Sequence, residues 1–303
     1  MGYEAALLGL ARDDERIMVL TAENRAPIRH AGAALGSRFV DVGIAEQTLV
    51  GMSAGLALRG RVPVAHALAT FLTMRAFEFI RTDVGVANLP VKLVGYVPGL
   101  LSESNGPTHQ ALEDVALMRG IPNLRVFCPA DHEDLVLGLP AVVADPAPWY
   151  VRWLDRPAAV RHEPFAIGRS EVVSEGSDVG ILVYGTLFRE AHEAVLRLAE
   201  LGVSARLVNL RTLVPVDEKT ILATARLTRL LVTIEDHFLT GGLRSIVSEI
   251  LVRHALPARV HTISLGDRWF RPGPLAQVLE AERLLGPQLA DRILEVLSDD
   301  RDR

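Results

Sequence analysis

Short runs of Val, Ile and Leu alternate along the chain with longer stretches in which apolar residues recur at helical spacing. The runs show no polar alternation, so they read as strands buried on both faces rather than as half-exposed ones. In the first half they fall at 17–21, 39–42, 62–65, 91–96, 124–127 and 149–153, with helices expected at 3–12, 46–58, 71–86, 111–119 and 131–143. Strands joined through helices rather than tight turns predict a parallel, doubly wound sheet.

Residues 157–177 break this rhythm. Pro157, Pro164, scattered charges and the lack of a long apolar run mark a linker, with one small strand near Glu171, Val172 and Val173. A second alternation follows, with strands at 179–184, 205–209, 230–235 and 260–263 and helices at 188–201, 217–225 and 243–254. A helix pair near 274–282 and 287–297 closes the chain, and 298–303 reads as a frayed terminus. The expected fold is α/β throughout: two consecutive doubly wound domains with mainly parallel sheets, at 1–156 and 178–303, joined by the 157–177 linker.

Composition narrows the function classes. Nearly half of the 303 residues are hydrophobic, enough for two cores, and the aromatics are few, which suits helices packed on sheets. The net charge of -5 argues against a nucleic-acid or anionic-membrane partner. No apolar run approaches the ~20 residues of a membrane span, and residues 1–10 lack the basic region of a signal peptide. Cys128 is the single cysteine, which excludes an intramolecular disulfide and a cysteine-built metal site and points to a cytoplasmic setting.

In open α/β sheets, ligands bind at the carboxyl ends of the strands. Three features fall there. Glu46 opens an apolar helix directly after a strand and a glycine turn, the segment 66–71 follows the third strand, and a loop rich in Gly, Pro, Ser and Asn ends in Asn105-Gly106-Pro107-Thr108-His109-Gln110. Each has a bland reading: a first-turn Glu favoured by the helix dipole, aromatics in a helix core, a surface histidine near a helix start. The helix after Glu46 carries Gly51, Ser53, Ala54 and Gly55, which admit a close backbone approach from the sheet or from another subunit. Position brings the three features to one edge without naming a reaction.

The ordered set of motifs is more specific. Asp41-Val42-Gly43-Ile44-Ala45-Glu46-Gln47, then Phe71-Leu72-Thr73-Met74-Arg75-Ala76-Phe77-Glu78, then Gly106-Pro107-Thr108-His109-Gln110-Ala111-Leu112-Glu113-Asp114, resembles the pyrimidine-binding domain of transketolase. Cys128-Pro129-Ala130-Asp131 and Tyr150-Val151-Arg152-Trp153-Leu154-Asp155-Arg156 continue the match, and Val232-Thr233-Ile234-Glu235-Asp236-His237 with Gly241-Gly242 is similar to the family's C-terminal domain. The resemblance implies thiamine diphosphate as cofactor. It implies that the Glu46 carboxyl hydrogen-bonds the aminopyrimidine ring nitrogen and so promotes proton loss from the thiazolium carbon, the cofactor serving as electron sink. Phe71, and secondarily Phe77, would wall the aminopyrimidine, with Ile44 and Arg75 also at the cofactor. His109 would bond the hydroxyls of a donor ketose, with Asn105 beside it. Arg156 would grip a substrate phosphate, and His66 would face the same cleft. The implied reaction moves a two-carbon ketol unit from a ketose or ketose phosphate to an aldose acceptor. His237 is matched in sequence with no role carried onto it.

A full transketolase has a further domain in front, whose Gly-Asp-Gly motif and a later Asn hold Mg²⁺ and the diphosphate. Gly-Asp-Gly does not occur here, and the nearest string, Gly266-Asp267-Arg268, lies in the second half. The resemblance therefore implies the C-terminal subunit of a split transketolase, with no metal site of its own. Its partner, an N-terminal subunit, would supply the diphosphate-binding domain and Mg²⁺ in an α2β2 assembly. Two departures bear on substrate. Asn105 stands where many members have Asp, and Val97-Pro98 where they often have His-Asp; the changes remove a charge near the sugar hydroxyls and a possible phosphate contact. The competing readings are a 1-deoxyxylulose-5-phosphate synthase, a 2-oxo acid dehydrogenase decarboxylase β-subunit, and a non-catalytic partner subunit. The Gly-Pro-Thr-His form favours transketolase, and Glu46 together with His109 argues against a degenerate subunit.

Overall fold

Parallel strands require crossover connections, and the chain supplies them in two successive sheets. The computed structural model describes residues 2–298, so most of the expected frayed terminus lies outside the described residues. The first half contains α1 (Tyr3–Asp13), β1 (Ile17–Thr21), α2 (Ala31–Leu35), β2 (Phe39–Asp41), α3 (Glu46–Leu58) and β3 (Val62–Leu68). A helical stretch follows, in which π-helical turns at Phe71–Arg75 and Ile80–Val86 flank the short α4 (Phe77–Phe79). Then come β4 (Lys92–Tyr96), α5 (Asp114–Arg119), β5 (Arg125–Phe127), α6 (His132–Ala144) and β6 (Trp149–Trp153). The second half contains β7 (Glu171–Ser174), β8 (Val179–Val183), α7 (Phe188–Glu200), β9 (Ala205–Asn209), β10 (Thr212–Val214), α8 (Glu218–Leu227) and β11 (Leu230–Ile234). It ends with α9 (Leu243–Arg253), β12 (Val260–Ile263), α10 (Leu275–Ala281) and α11 (Gly286–Ser298).

The first sheet has the order β10-β5-β6-β4-β3-β1-β2 and the second β12-β11-β8-β9-β7. All pairings are parallel except at one edge of each sheet, where β10 and β7 run antiparallel. The edge strand β10 comes from the second half of the chain yet completes the first sheet, and β7 lies inside the predicted linker yet belongs to the second sheet. Residues 157–177 are therefore no free tether. The register aligns Thr21 with His66, Leu68 with Tyr96, and Tyr96 with Trp153. The carboxyl ends of β1, β3, β4 and β6 thus finish in line, and the loops that leave them meet along one rim.

The cores also cross the boundary between the halves. Leu100 and Leu112, from the loop region after β4, are buried in a cluster built mainly from β8, β11, α7 and α11. Burying each is worth about 1.5–3 kcal/mol. Two buried ionic groups lie at the same boundary. Arg152 of β6 bonds Asp114 through Nε at 2.8 Å and Asp236 through Nη1 at 2.9 Å. His162 bridges Asp131 and Glu171, both at 2.8 Å. Burial opposes charge on both cations, but their carboxylates outweigh it: Arg152 is held more firmly protonated and His162 is pushed up to about 10. Removing one member of such a buried pair costs about 3–5 kcal/mol, so the two halves are locked together. Among the described residues no helix is long and apolar enough to cross a membrane.

Candidate active site

Gly43 is at a φ of +71°, and this turn sends the chain from β2 into α3 with Glu46 as its first residue. The carboxylate is almost fully buried, at 3% exposure. Oε2 accepts a bond from Arg75 Nη1 at 2.9 Å, and among the described residues no donor is placed on Oε1. Arg75 is reached through the π-helical turn after β3, where Ala76 N–H bonds the Phe71 carbonyl five residues back. Such wide turns re-aim side chains and concentrate at functional sites. Here the turn lays the Arg75 guanidinium over the Phe71 ring, 4.3 Å from its centroid. The other partner of Phe71 is His109, ring to ring at 5.1 Å and 70°. The His109 Nδ1 lies 2.9 Å from the Thr108 hydroxyl, and its N–H bonds the Gly106 carbonyl. Glu46, Arg75, Phe71 and His109 thus form one connected set, drawn from three separate strand ends.

The remaining expected site residues divide. Ile44 projects from the turn before α3 and is 76% exposed, and Asn105 lies exposed on the loop that carries His109. Three residues are displaced from their expected places. His66 is completely buried: Nε2 meets the Tyr3 hydroxyl at 2.7 Å and Nδ1 the Leu20 carbonyl at 3.1 Å. Burial pulls its pKa down to about 4, so it is a neutral core residue and does not line the cleft. Phe77 is half-buried and packs against the apolar core. Arg156 is a strut between the halves, bonding the Thr186 carbonyl at 2.7 Å and both carboxylate oxygens of Glu190. Both of its terminal nitrogens are engaged in this strut.

A cavity of about 340 Å³ sits at the ends of β4 and β6, lined by Tyr3, Arg29, Tyr96, His132, Trp153 and Asp155 among others. The Trp153 ring contacts Tyr96 at 4.5 Å and Tyr3 at 6.0 Å. Sequence reasoning passed over this group. The strand-end positions of Tyr96 and Trp153 were the available signal, but Arg29 follows β1 in a segment without periodicity. Among the described residues no group of three or more His, Cys, Asp or Glu side chains could hold a metal ion.

A buried acid at a helix start, an aromatic beside it and an imidazole on a neighbouring loop, all at the carboxyl rim of a doubly wound sheet and followed by a second α/β unit, define a class of cofactor-dependent enzyme domains. Residues 1–155 match the family described as transketolase, pyrimidine binding domain, and residues 168–290 that described as transketolase, C-terminal domain. The chain belongs to the transketolase family. It is 37% identical over 254 residues to the 6-deoxy-6-sulfo-D-fructose transketolase subunit SqwH of Clostridium sp. (strain MSTE9), covering 82% of this chain and 79% of that protein. A solved split gene transketolase, described as an inactive beta4 tetramer, superposes with a TM-score of 0.86 at 33% identity over 98% of this chain and 96% of that one. The 1-deoxy-D-xylulose-5-phosphate synthase of Symbiobacterium thermophilum (strain DSM 24528 / JCM 14929 / IAM 14863 / T) is 35% identical over 290 residues, spanning 93% of this chain but 44% of that enzyme. In extent, the chain corresponds to the C-terminal subunit of a split transketolase.

Proposed function

We propose that this chain is the C-terminal subunit of a two-chain, thiamine-diphosphate-dependent transketolase, which moves a two-carbon ketol unit from a ketose or ketose phosphate to an aldose acceptor. The observation that carries the reading is the Glu46 carboxylate, buried at the start of α3 with one oxygen open and the Phe71 ring and His109 imidazole beside it. These residues fit the pyrimidine end of the cofactor. The open oxygen of Glu46 would hydrogen-bond a ring nitrogen, Phe71 offers a flat apolar wall, and Ile44 extends that wall from the turn. When bound, the cofactor supplies an electron sink at its thiazolium carbon. Arg75 keeps the Glu46 carboxyl oriented until a ligand competes for it. His109 and Asn105 supply hydrogen bonds for donor hydroxyls. Arg29, at the aromatic cavity, takes the role of meeting an anionic sugar end that Arg156 does not fill, in keeping with the sulfonated sugar named for the 37%-identical relative.

The diphosphate and Mg²⁺ would be held by an N-terminal subunit, in an assembly with a copy of each chain across a twofold axis. A second reading, a 1-deoxyxylulose-5-phosphate synthase-like reaction on pyruvate, is supported by the synthase relatives. Mixing this chain with the diphosphate-binding chain separates them. The transketolase reading expects ketol transfer from a ketose donor in the mixture, none from either chain alone, and no condensation of pyruvate. Condensation of pyruvate without transfer from ketose would replace it with the second reading.

A further inference from the structure

The loop and short helix that carry His109 are anchored from both halves of the chain: Tyr150 and Arg152 of β6 bond Asp114 at the start of α5, and α5 packs on β5, while the second domain holds the segment at three points. At the near end, Gly99 has a φ of +58°, and a Cβ there would fall 1.7 Å from Asp236 Oδ2 and 2.9 Å from Arg152 Nη2. Only glycine can lie between these two side chains, which bond each other at 2.9 Å through Arg152 Nη1 and Asp236 Oδ1. At the far end, His237 caps α5 from the other half of the chain. Its Nδ1–H donates to the Phe238 carbonyl at 2.7 Å, which leaves Nε2 to accept the N–H of Ala116 at 3.3 Å. Phe238 N–H bonds the Leu112 carbonyl at 3.0 Å. In the middle, Gly106, which accepts the N–H of His109, has its missing Cβ 3.2 Å from Pro272. Leu100 and Leu112 share a core with Phe270. By contrast, the elements that carry Glu46 and Phe71 pack mainly on β3, on each other and on α5.

We propose that Asp236 and His237 are positioning residues: the turn after β11 is a template that fixes segment 99–116, and so sets where His109 meets the donor sugar, without touching the cofactor. The sequence Glu235-Asp236-His237 then has a divided task. Asp236 and His237 hold the substrate loop of the neighbouring domain, while Glu235 holds the start of α9. This gives the second domain a part in donor recognition although it contributes no side chain to the Glu46–Phe71–His109 set. The proposal rests on the reading of His109 as a donor contact.

The test uses the enzyme reconstituted from both chains, with hydroxypyruvate, the simplest ketol donor, as probe. Asp236→Asn, and separately His237→Leu, should raise the KM for hydroxypyruvate at least about fivefold, the effect of one lost hydrogen bond. The Kd for thiamine diphosphate should stay within about a factor of two, which is below the effect of one lost contact. Hydrogen–deuterium exchange reads the same claim without activity: amides in 99–112 should exchange faster in the variants while those of β1, β3 and β8 keep native rates. A native KM with native exchange in 99–112 overturns the proposal. So does faster exchange everywhere with a matching loss of cofactor affinity, which marks an ordinary structural role. Should either variant fail to fold, Pro272→Ala, at an exposed position against Gly106, must raise KM and loop exchange in the same direction, and its failure to do so also overturns the proposal. If the native enzyme binds the cofactor but does not turn over hydroxypyruvate, the ketol-transfer reading fails, and the exchange measurement still decides whether the template exists.

Discussion

Glu46 and Glu235 occupy comparable places: each is a buried acid at the passage from a strand of a parallel sheet into a helix, Glu46 as the first residue of α3 and Glu235 directly after β11. Their surroundings differ. Glu235 turns both oxygens onto its helix, accepting the N–H groups of Leu243 at 2.6 Å and Arg244 at 3.1 Å. Gly242 closes the space around it, since a Cβ there would lie 2.0 Å from Oε2. Burial raises its pKa to about 7 even though those N–H bonds favour the charged form. The carboxylate is saturated and sealed, and it serves the fold. Glu46 makes no such bond to α3; its described partner is Arg75, a 43%-exposed side chain that a ligand can displace. The lesson is that a buried acid at a strand-to-helix turn becomes a site only when the backbone leaves its oxygens free.

The comparison can be broken from either side. Glu46→Gln should lower kcat of the reconstituted enzyme by on the order of 10²–10⁴-fold, the usual worth of a proton-handling group. Its melting temperature should stay close to native, because no N–H of α3 depends on the carboxylate. Glu235→Ala should do the reverse. Each backbone donor left unpaired costs about 1–3 kcal/mol, seen as a lower denaturation midpoint, while kcat per folded molecule holds near native. A collapse of stability in the first variant, or of kcat in the second, would erase the distinction. Phe71→Ala removes the ring that touches both Arg75 and His109 and should weaken thiamine diphosphate binding by roughly 3–10-fold, in line with one lost aromatic contact; titration calorimetry reads this directly.

A separate effect concerns the ionic clamp between the halves. The His162 pKa is raised in the fold, so the stability it contributes is complete below its ordinary value near 6.5 and is lost as pH rises through about 10. His162→Gln should therefore melt a few degrees lower than native at pH 6, with the gap narrowing as pH climbs towards 10. A gap that widens with pH would show that the imidazole is not held charged.

Much of this was legible in the sequence, for physical reasons. The runs at 17–21, 149–153 and 205–209 are strands because nothing but sheet burial suits short, unalternating apolar stretches, and they appear with those bounds. Glu46 and His109 stood out because a carboxylate and an imidazole at strand ends come with motif context, and the structure links them through Arg75 and Phe71. The misplacements share a cause. In a parallel strand buried on both faces, the residue order does not say which way a side chain points, so His66 was read as cleft-facing when it lies under Tyr3. The α-helical period gives no sign of the extra residue in the π turn that precedes Phe77, which packs against the core. Arg156 is claimed by Glu190, 34 positions later in the chain, and β10 by a sheet of the other half, and no local pattern reports such partners.

The central claim is that Glu46, and not the sealed acid of the second domain, activates the cofactor. Hydrogen–deuterium exchange at the thiazolium carbon of bound thiamine diphosphate, followed by proton NMR after acid quench, tests it most directly in the two-chain complex. Glu46→Gln should slow this exchange by on the order of 10²–10⁴-fold while Glu235→Gln leaves it at the native rate. Native exchange in Glu46→Gln would contradict it.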